Sequence, residues 1–150
     1  MHSYRRFGLM VATATVVMFG LMYLNTYRLD HVEFSETRTY MALIMGAVMA
    51  VIMLAFMHGM YRNRRLNLAI VGGSAMLFAI SLWLVRSQAT VEDASYMRAM
   101  IPHHSIAIMT SERARISDPR VRALADGIIE SQRREIAEMK ALIADLEAGR

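Results

Sequence analysis

Two adjacent histidines and three methionines fall within the fourteen residues Tyr96 to Met109: Met97, Met100, His103, His104 and Met109, with Pro102 among them. Neutral imidazole nitrogen and thioether sulfur are donors that soft and borderline metals favour, Cu(I) above all. At about 100° per helical residue, Met97, Met100 and His104 share one face, with Ile101 and Ile108 beside them. His103 lies on the flank of that face, and Met109 points elsewhere. Two readings stand side by side here. Either these residues are a soft-metal ligand set, or the methionines are adaptable core filler and the histidines line a bundle.

Two elements must position them. Thr90-Val91-Glu92-Asp93 fits a capping box, with Thr90 as N-cap, and predicts a helix from about Val91 to Ile116. Pro102 inside it removes one backbone hydrogen bond and bends the axis near Arg98. Ser117-Asp118-Pro119 is a restart, with Asp118 as N-cap and Pro119 at the first helical position. The second helix runs to about Glu147. One face carries Val121, Leu124, Ile128, Gln132, Glu135, Met139, Leu142 and Leu146, widened by Ile129, Ile136 and Ile143. An inward Glu135 with Met139 one turn later is suited to the second half of a metal site. The competing role for Glu135 is an interhelical ion pair, since a buried carboxylate needs a partner. Glu130, Arg133, Arg134 and Glu138 form a solvated face. Two helices of this size do not close a core between them, so the hairpin is expected to self-associate into a four-helix bundle.

Cysteine is absent from the 150 residues, which removes disulfides, thiolate metal sites and thiol redox chemistry. Any soft metal must therefore be held by Met and His, and there are 15 methionines to draw on. The chain is 55% hydrophobic and 20% charged, too apolar for an ordinary soluble domain, with the apolar residues crowded into the first 85 positions. The formal net charge of +4 comes mostly from arginine, Lys140 being the one lysine. Small arginine clusters beside apolar runs act as membrane orientation signals. No basic stripe with interleaved aromatics is present, which argues against nucleic-acid binding.

Three membrane spans are expected, over about 7–24, 40–60 and 66–85. The first follows Arg5 and Arg6 and lacks the small-residue site that signal-peptide cleavage needs. The turn Tyr61-Arg62-Asn63-Arg64-Arg65 is short and basic, so it and the N-terminal tail should face the cytoplasm. Everything after Val85 then lies outside, in the periplasm of a bacterium-like inner membrane. The chain divides as a membrane domain, 1–86, and a helical hairpin domain, 87–150. Met41, Met45, Met49, Met53 and Met57 recur every four residues in the second span, followed by His58. Packing is the simpler reading of that ridge, a thioether path for Cu(I) the sharper one. No Asp, Glu, Lys or Arg lies inside the expected spans, which disfavours ion-driven transport.

The run Met97-x-x-Met100-Ile101-Pro102-His103-His104, followed by Ala107 and Met109, then Asp118-Pro119, Ile128-Ile129, Gln132 and Glu135-Ile136-x-x-Met139, resembles the bacterial domain-of-unknown-function 305 family. The resemblance covers about Glu92 to Leu146. It implies a ferritin-like helical bundle and, as in some members, periplasmic copper binding linked to copper tolerance. It makes Met97, Met100, His103, His104 and Met139 the ligand positions, with Glu135 and Met109 as additional candidates. Ferritin-like di-iron sites use several carboxylates with Glu-x-x-His, a motif missing here, which argues against oxidase chemistry. Soluble members usually carry a longer domain or two hairpins, so a single hairpin strengthens the expectation of a homo-oligomer. The combined expectation is an all-α, membrane-anchored, non-enzymatic protein. It binds Cu(I), Ag(I) or Cu(II) for sequestration or for handover to a copper chaperone or efflux partner. The alternative is a structural protein whose hairpin assembles without metal.

Overall fold

The computed structural model describes residues 2–149. Among them are five α-helices, one short 3-10 turn and no strand. The helices are α1 (His2–Leu21), α2 (Glu36–Phe56), α3 (Arg64–Ser87), α4 (Asp93–Arg113) and α5 (Pro119–Ala148), and the 3-10 turn is Leu29–His31.

The chain forms two compact units: Met1–Met22 with Thr37–Thr90, and Tyr23–Glu36 with Val91–Arg150. The polar connection between α1 and α2 groups with the hairpin, to which it is fastened by Tyr27 on Ser105 of α4 and by Asp30 on Lys140 of α5.

In the first unit, α2 and α3 are long and apolar enough to cross a membrane. Almost none of α3 is buried: Leu68, Met76, Ile80 and Trp83 are all exposed, unlike the residues of a soluble core helix. The expectation of three spans is corrected to two. The first helix spends its opening turns on polar residues and Arg5 and Arg6, and it ends at Leu21 rather than Leu24. Its apolar part, from Phe7, is about 22 Å long at 1.5 Å per residue, short of a core of about 30 Å. The helix packs antiparallel along α2. Phe7 is buried with Ala50, Leu54 and Tyr61, Thr15 meets Gly46, and the Arg38 guanidinium donates to the Met22 carbonyl at 2.6 Å. Asn63 caps α3 by accepting from the Leu66 N–H at 3.1 Å. Gln88, in the left-handed region (φ 53°), closes α3 with its N–H on the Leu84 carbonyl.

The second unit is built on α4 and α5. Its core is Met97, Ile101, Ile108, Ile136 and Ile143, with Tyr27, Ile129 and Met139 packed against it. The chain enters α4 two residues later than the capping box predicts. Glu92 is the N-cap, without a side-chain hydrogen bond, and the Thr90 hydroxyl pairs with the Tyr40 hydroxyl at 2.8 Å. Asp118 caps α5 as expected, accepting from the Arg120 N–H at 2.8 Å, with Pro119 in the first turn. The helix α4 runs unbroken through Pro102, which is buried.

Candidate metal centre

Five of the residues singled out for soft-metal chemistry line one cleft of about 490 Å3 between α4 and α5: Met97, Met100 and His104 from one helix, Glu135 and Met139 from the other. The helical repeat explains the convergence, since positions 97, 100 and 104 of α4 and 135 and 139 of α5 each lie on one face. Met97 and Ile101 anchor that side of α4 in the core.

His103 and Met109 do not join them. The next residue along a helix turns about 100° away, so His103 is exposed while its ring centroid stays 6.2 Å from that of His104. Met109 is half-buried and does not line the cleft. The continuous helix at Pro102 thus leaves one imidazole facing in. His58 is exposed in the turn that follows α2, its Nδ1 3.2 Å from the Ala55 carbonyl.

His104 is the informative side chain. It is only 12% exposed, and its Nδ1 lies 3.1 Å from Glu135 Oε2. The two atoms are close enough for an ion pair, yet the carboxylate lies off the direction of a hydrogen bond, and Nδ1 is a buried nitrogen with no hydrogen-bond partner. Burial pushes the imidazole below its ordinary pKa, and His103 adds to this while the Glu135 carboxylate opposes it. His104 is therefore neutral near pH 7, the form that ligates metals. Glu135 is held from its other side by Ser131, whose hydroxyl donates to Oε1 at 2.6 Å.

The remaining lining sets the charge. Asp93 and Glu138 join Glu135 around the cleft, with Tyr96, Leu142 and Leu146 as apolar walls, and no Lys or Arg contributes. In a chain with formal net charge +4, this is a local acidic mouth over a thioether floor. Among the described residues no three His, Asp, Glu or Cys converge into a hard-donor cluster. Three thioethers and one neutral imidazole are soft and borderline donors, with one hard carboxylate beside them. The chemistry of the lining and the unpartnered His104 nitrogen both fit a soft cation.

A separate cavity of about 700 Å3 is lined by Tyr27, Arg28, His31, Arg133 and Lys140 among others. Its cations are already matched. Asp30 pairs with Arg28 and Lys140, both at 3.0 Å, and Glu112 pairs with Arg133 at 2.5 Å. The Lys140 hydrogen bond, more than that of Arg28, holds Asp30 down to about pKa 2.

The sequence gives no sign of what fastens the Tyr23–Glu36 segment. Ser105, fully buried one residue after His104, accepts from the Tyr27 N–H at 2.9 Å and sits 2.9 Å from His31 Nδ1. Burial lowers the His31 pKa, against the opposing pull of Asp30. Ser95 donates to Glu36 at 3.0 Å, and Arg98 reaches both Glu33 and Glu147. Pairs 74 residues apart, such as His31 with Ser105, leave no local signal. Ser131 with Glu135 is different: its i,i+4 spacing was open to sequence reasoning.

No solved structure matches the chain. It is 32% identical over 141 residues to "Uncharacterized protein L153" of Acanthamoeba polyphaga mimivirus, a match covering 89% of this chain and 91% of the viral protein. The model of the family described as "Domain of unknown function (DUF305)" matches residues 83–148, which contain both α4 and α5 and every lining residue of the methionine cleft. With the hairpin matched to the model and a relative aligned along nearly the whole chain, the protein belongs to the domain-of-unknown-function 305 family.

Proposed function

We propose that this protein binds a soft monovalent cation, Cu(I) or its chemical analogue Ag(I), in the α4–α5 cleft of a membrane-anchored hairpin. The observation that carries the reading is the composition of that cleft: Met97, Met100, Met139 and a neutral His104 beneath Asp93, Glu135 and Glu138, with no basic side chain. Thioethers do not titrate and do not form disulfides, so the sulfur donors stay available across pH and redox conditions. His104 supplies the one nitrogen donor, and Glu135, oriented by Ser131, supplies charge compensation. Nothing in the donor set calls for catalysis, and the role we assign is binding for sequestration or for handover to a chaperone or efflux partner.

The anchor in this reading is α2 and α3. A crossing by α2 and a return by α3 bring the chain back to the side on which Tyr23–Glu36 lies, so that segment and the hairpin share a side, while Tyr4 holds the start of α1 at the end of the basic turn. The basic turn at Arg62, Arg64 and Arg65 then faces the cytoplasm and the hairpin faces away from it, as in a periplasm.

The test is a Cu(I) titration of the full-length protein in detergent against a competing chelator. Replacing His104 by Ala should weaken binding at least about tenfold, a floor taken from the effect of losing outer-shell partners alone, while His103→Ala should leave affinity within about twofold. Joint replacement of Met97, Met100 and Met139 by Leu should abolish it. Unchanged affinity in that triple variant would defeat the assignment.

One feature favours a second reading. On α5 the residues Val121, Leu124, Leu142 and Leu146 remain exposed, Leu124 by 65%, leaving an apolar stripe that α4 does not cover. In this reading the hairpin is an assembly element that closes a four-helix bundle with a second copy. It predicts that Leu124→Glu with Leu142→Glu produces a monomer in sedimentation, with or without Cu(I).

A further inference from the structure

The first unit gathers arginines from two distant segments at one end and gives them no counter-charge. Tyr4, in the first turn of α1, reaches the turn between α2 and α3. Its hydroxyl donates to Asn67 Oδ1 at 2.9 Å and accepts from the Asn63 N–H at 3.0 Å. Its ring lies 5.0 Å from that of Tyr61, and the Phe7 ring meets Tyr61 edge-on at 5.2 Å. Asn67 in turn donates to the Tyr61 carbonyl at 2.7 Å. This clasp sets Arg5 and Arg6 at the same end as Arg62, Arg64 and Arg65, all five exposed. None of the five is in an ion pair among the described residues; Arg62 reaches only the Gly59 carbonyl, at 3.4 Å. The reason is compositional. From Thr37 to Thr90 and from Met1 to Met22 there is no Asp or Glu at all. In the other unit, by contrast, Arg28, Arg98, Arg120, Arg122 and Arg133 each have a carboxylate partner.

We propose that this arginine cluster, clasped by Tyr4, is a binding surface for the phosphate headgroup of an anionic phospholipid. Guanidinium forks match phosphate oxygens in paired hydrogen bonds. The exposed apolar faces of α2 and α3 next to the cluster suit acyl chains, which a free phosphate or a nucleic acid does not possess. Basic clusters at the ends of membrane helices attract anionic headgroups for the same reason. The inference rests on α2 and α3 lying in a bilayer and is independent of the metal reading.

The experiment uses the full-length protein reconstituted into vesicles of equimolar phosphatidylglycerol and phosphatidylcholine. The protein is extracted in mild detergent, and the retained lipid is quantified by mass spectrometry. Wild type should retain phosphatidylglycerol preferentially. Substituting Arg62, Arg64 and Arg65 together by Gln should reduce that enrichment at least about fivefold. Tyr4→Phe should lower it while leaving every charge in place, an effect that bulk net charge does not produce. Substituting Arg86, Arg115 and Arg120 by Gln, which removes equal charge elsewhere, should leave enrichment unchanged. Equal loss in that control set, or no enrichment in wild type, overturns the proposal. So does competition by glycerol phosphate at the same concentration as the lipid, which would reassign the surface to free phosphate. Release of the protein from vesicles by an alkaline wash would overturn the bilayer placement itself, a result separable from absent lipid preference.

Discussion

His104 and His103 are neighbours in sequence and opposites in environment. One is largely covered and lies beside Glu135, the other is exposed. Both His104 and His31 have pKa values lowered chiefly by burial. Such groups take up protons in the unfolded chain near the ordinary value of about 6.5 while the folded chain resists. Stability is therefore fully present above that pH and falls as pH drops below it, until the folded-state values are passed. Chemical denaturation of the metal-free protein at pH 7.5 and pH 5.5 should show a lower midpoint at the acidic pH, and His31→Gln with His104→Gln should flatten the difference. Ser105 is the other decisive residue. Ser105→Ala leaves the Tyr27 N–H and His31 Nδ1 without their partner. This should cost about 1–3 kcal/mol, read as earlier unfolding and faster amide exchange in residues 23–36.

At the scale of elements, α1 and α2 meet closely at Gly46. A Cβ built on Gly46 would overlap the Thr15 hydroxyl and come within 3.2 Å of its methyl. Thr15 is stiff at χ1, and its hydroxyl is engaged with the Val11 carbonyl at 2.9 Å, so it does not swing aside cheaply. Gly46→Ala should destabilise the unit by about 1–3 kcal/mol, as overpacking does. Adding Thr15→Ala should restore most of the loss in thermal melts in detergent. The same contact explains why α1 stays with α2 despite its short apolar length. On α5 the buried line is Ala125, Ile136 and Ile143, with Ile129 and Met139 partly covered. The predicted stripe included Ile129, Ile136, Met139 and Ile143, which are covered, but also Leu124, Ile128 and Leu142, which are exposed.

For the whole molecule, the two units call for different stabilisers. The hairpin unit ties its parts with ion pairs and buried hydrogen bonds, and the helical unit with Asp and Glu absent relies on apolar contact and a tyrosine clasp. A cation bound in the methionine cleft stabilises only what it touches, by mass action on the folded form. Hydrogen exchange of the full-length protein should therefore show added protection in α4 and α5 on Cu(I) addition, with α2 and α3 unchanged. Uniform protection across all five helices would contradict a site confined to the hairpin.

The sequence by itself determined the helical class, the restart at Asp118-Pro119, the apolar lengths of α2 and α3, and the shared face of Met97, Met100 and His104. Each follows from short-range rules of periodicity, capping and hydropathy that act within a turn or two. It also allowed Glu135 and Met139 to be picked out, because a period of 3.6 on α5 puts them in line. Helical geometry also turned Met109 aside and favoured His104 over His103 for the inward position; the tertiary structure alone decided that Tyr23–Glu36 belongs with the hairpin. It likewise decided that α1 packs along α2 and carries Arg5 and Arg6 to the basic turn. Those outcomes depend on contacts between residues far apart in sequence, such as Tyr4 with Asn63, 59 positions apart, and Lys140 with Asp30, 110 positions apart. Burial and long-range hydrogen bonding select among faces that local periodicity leaves equivalent.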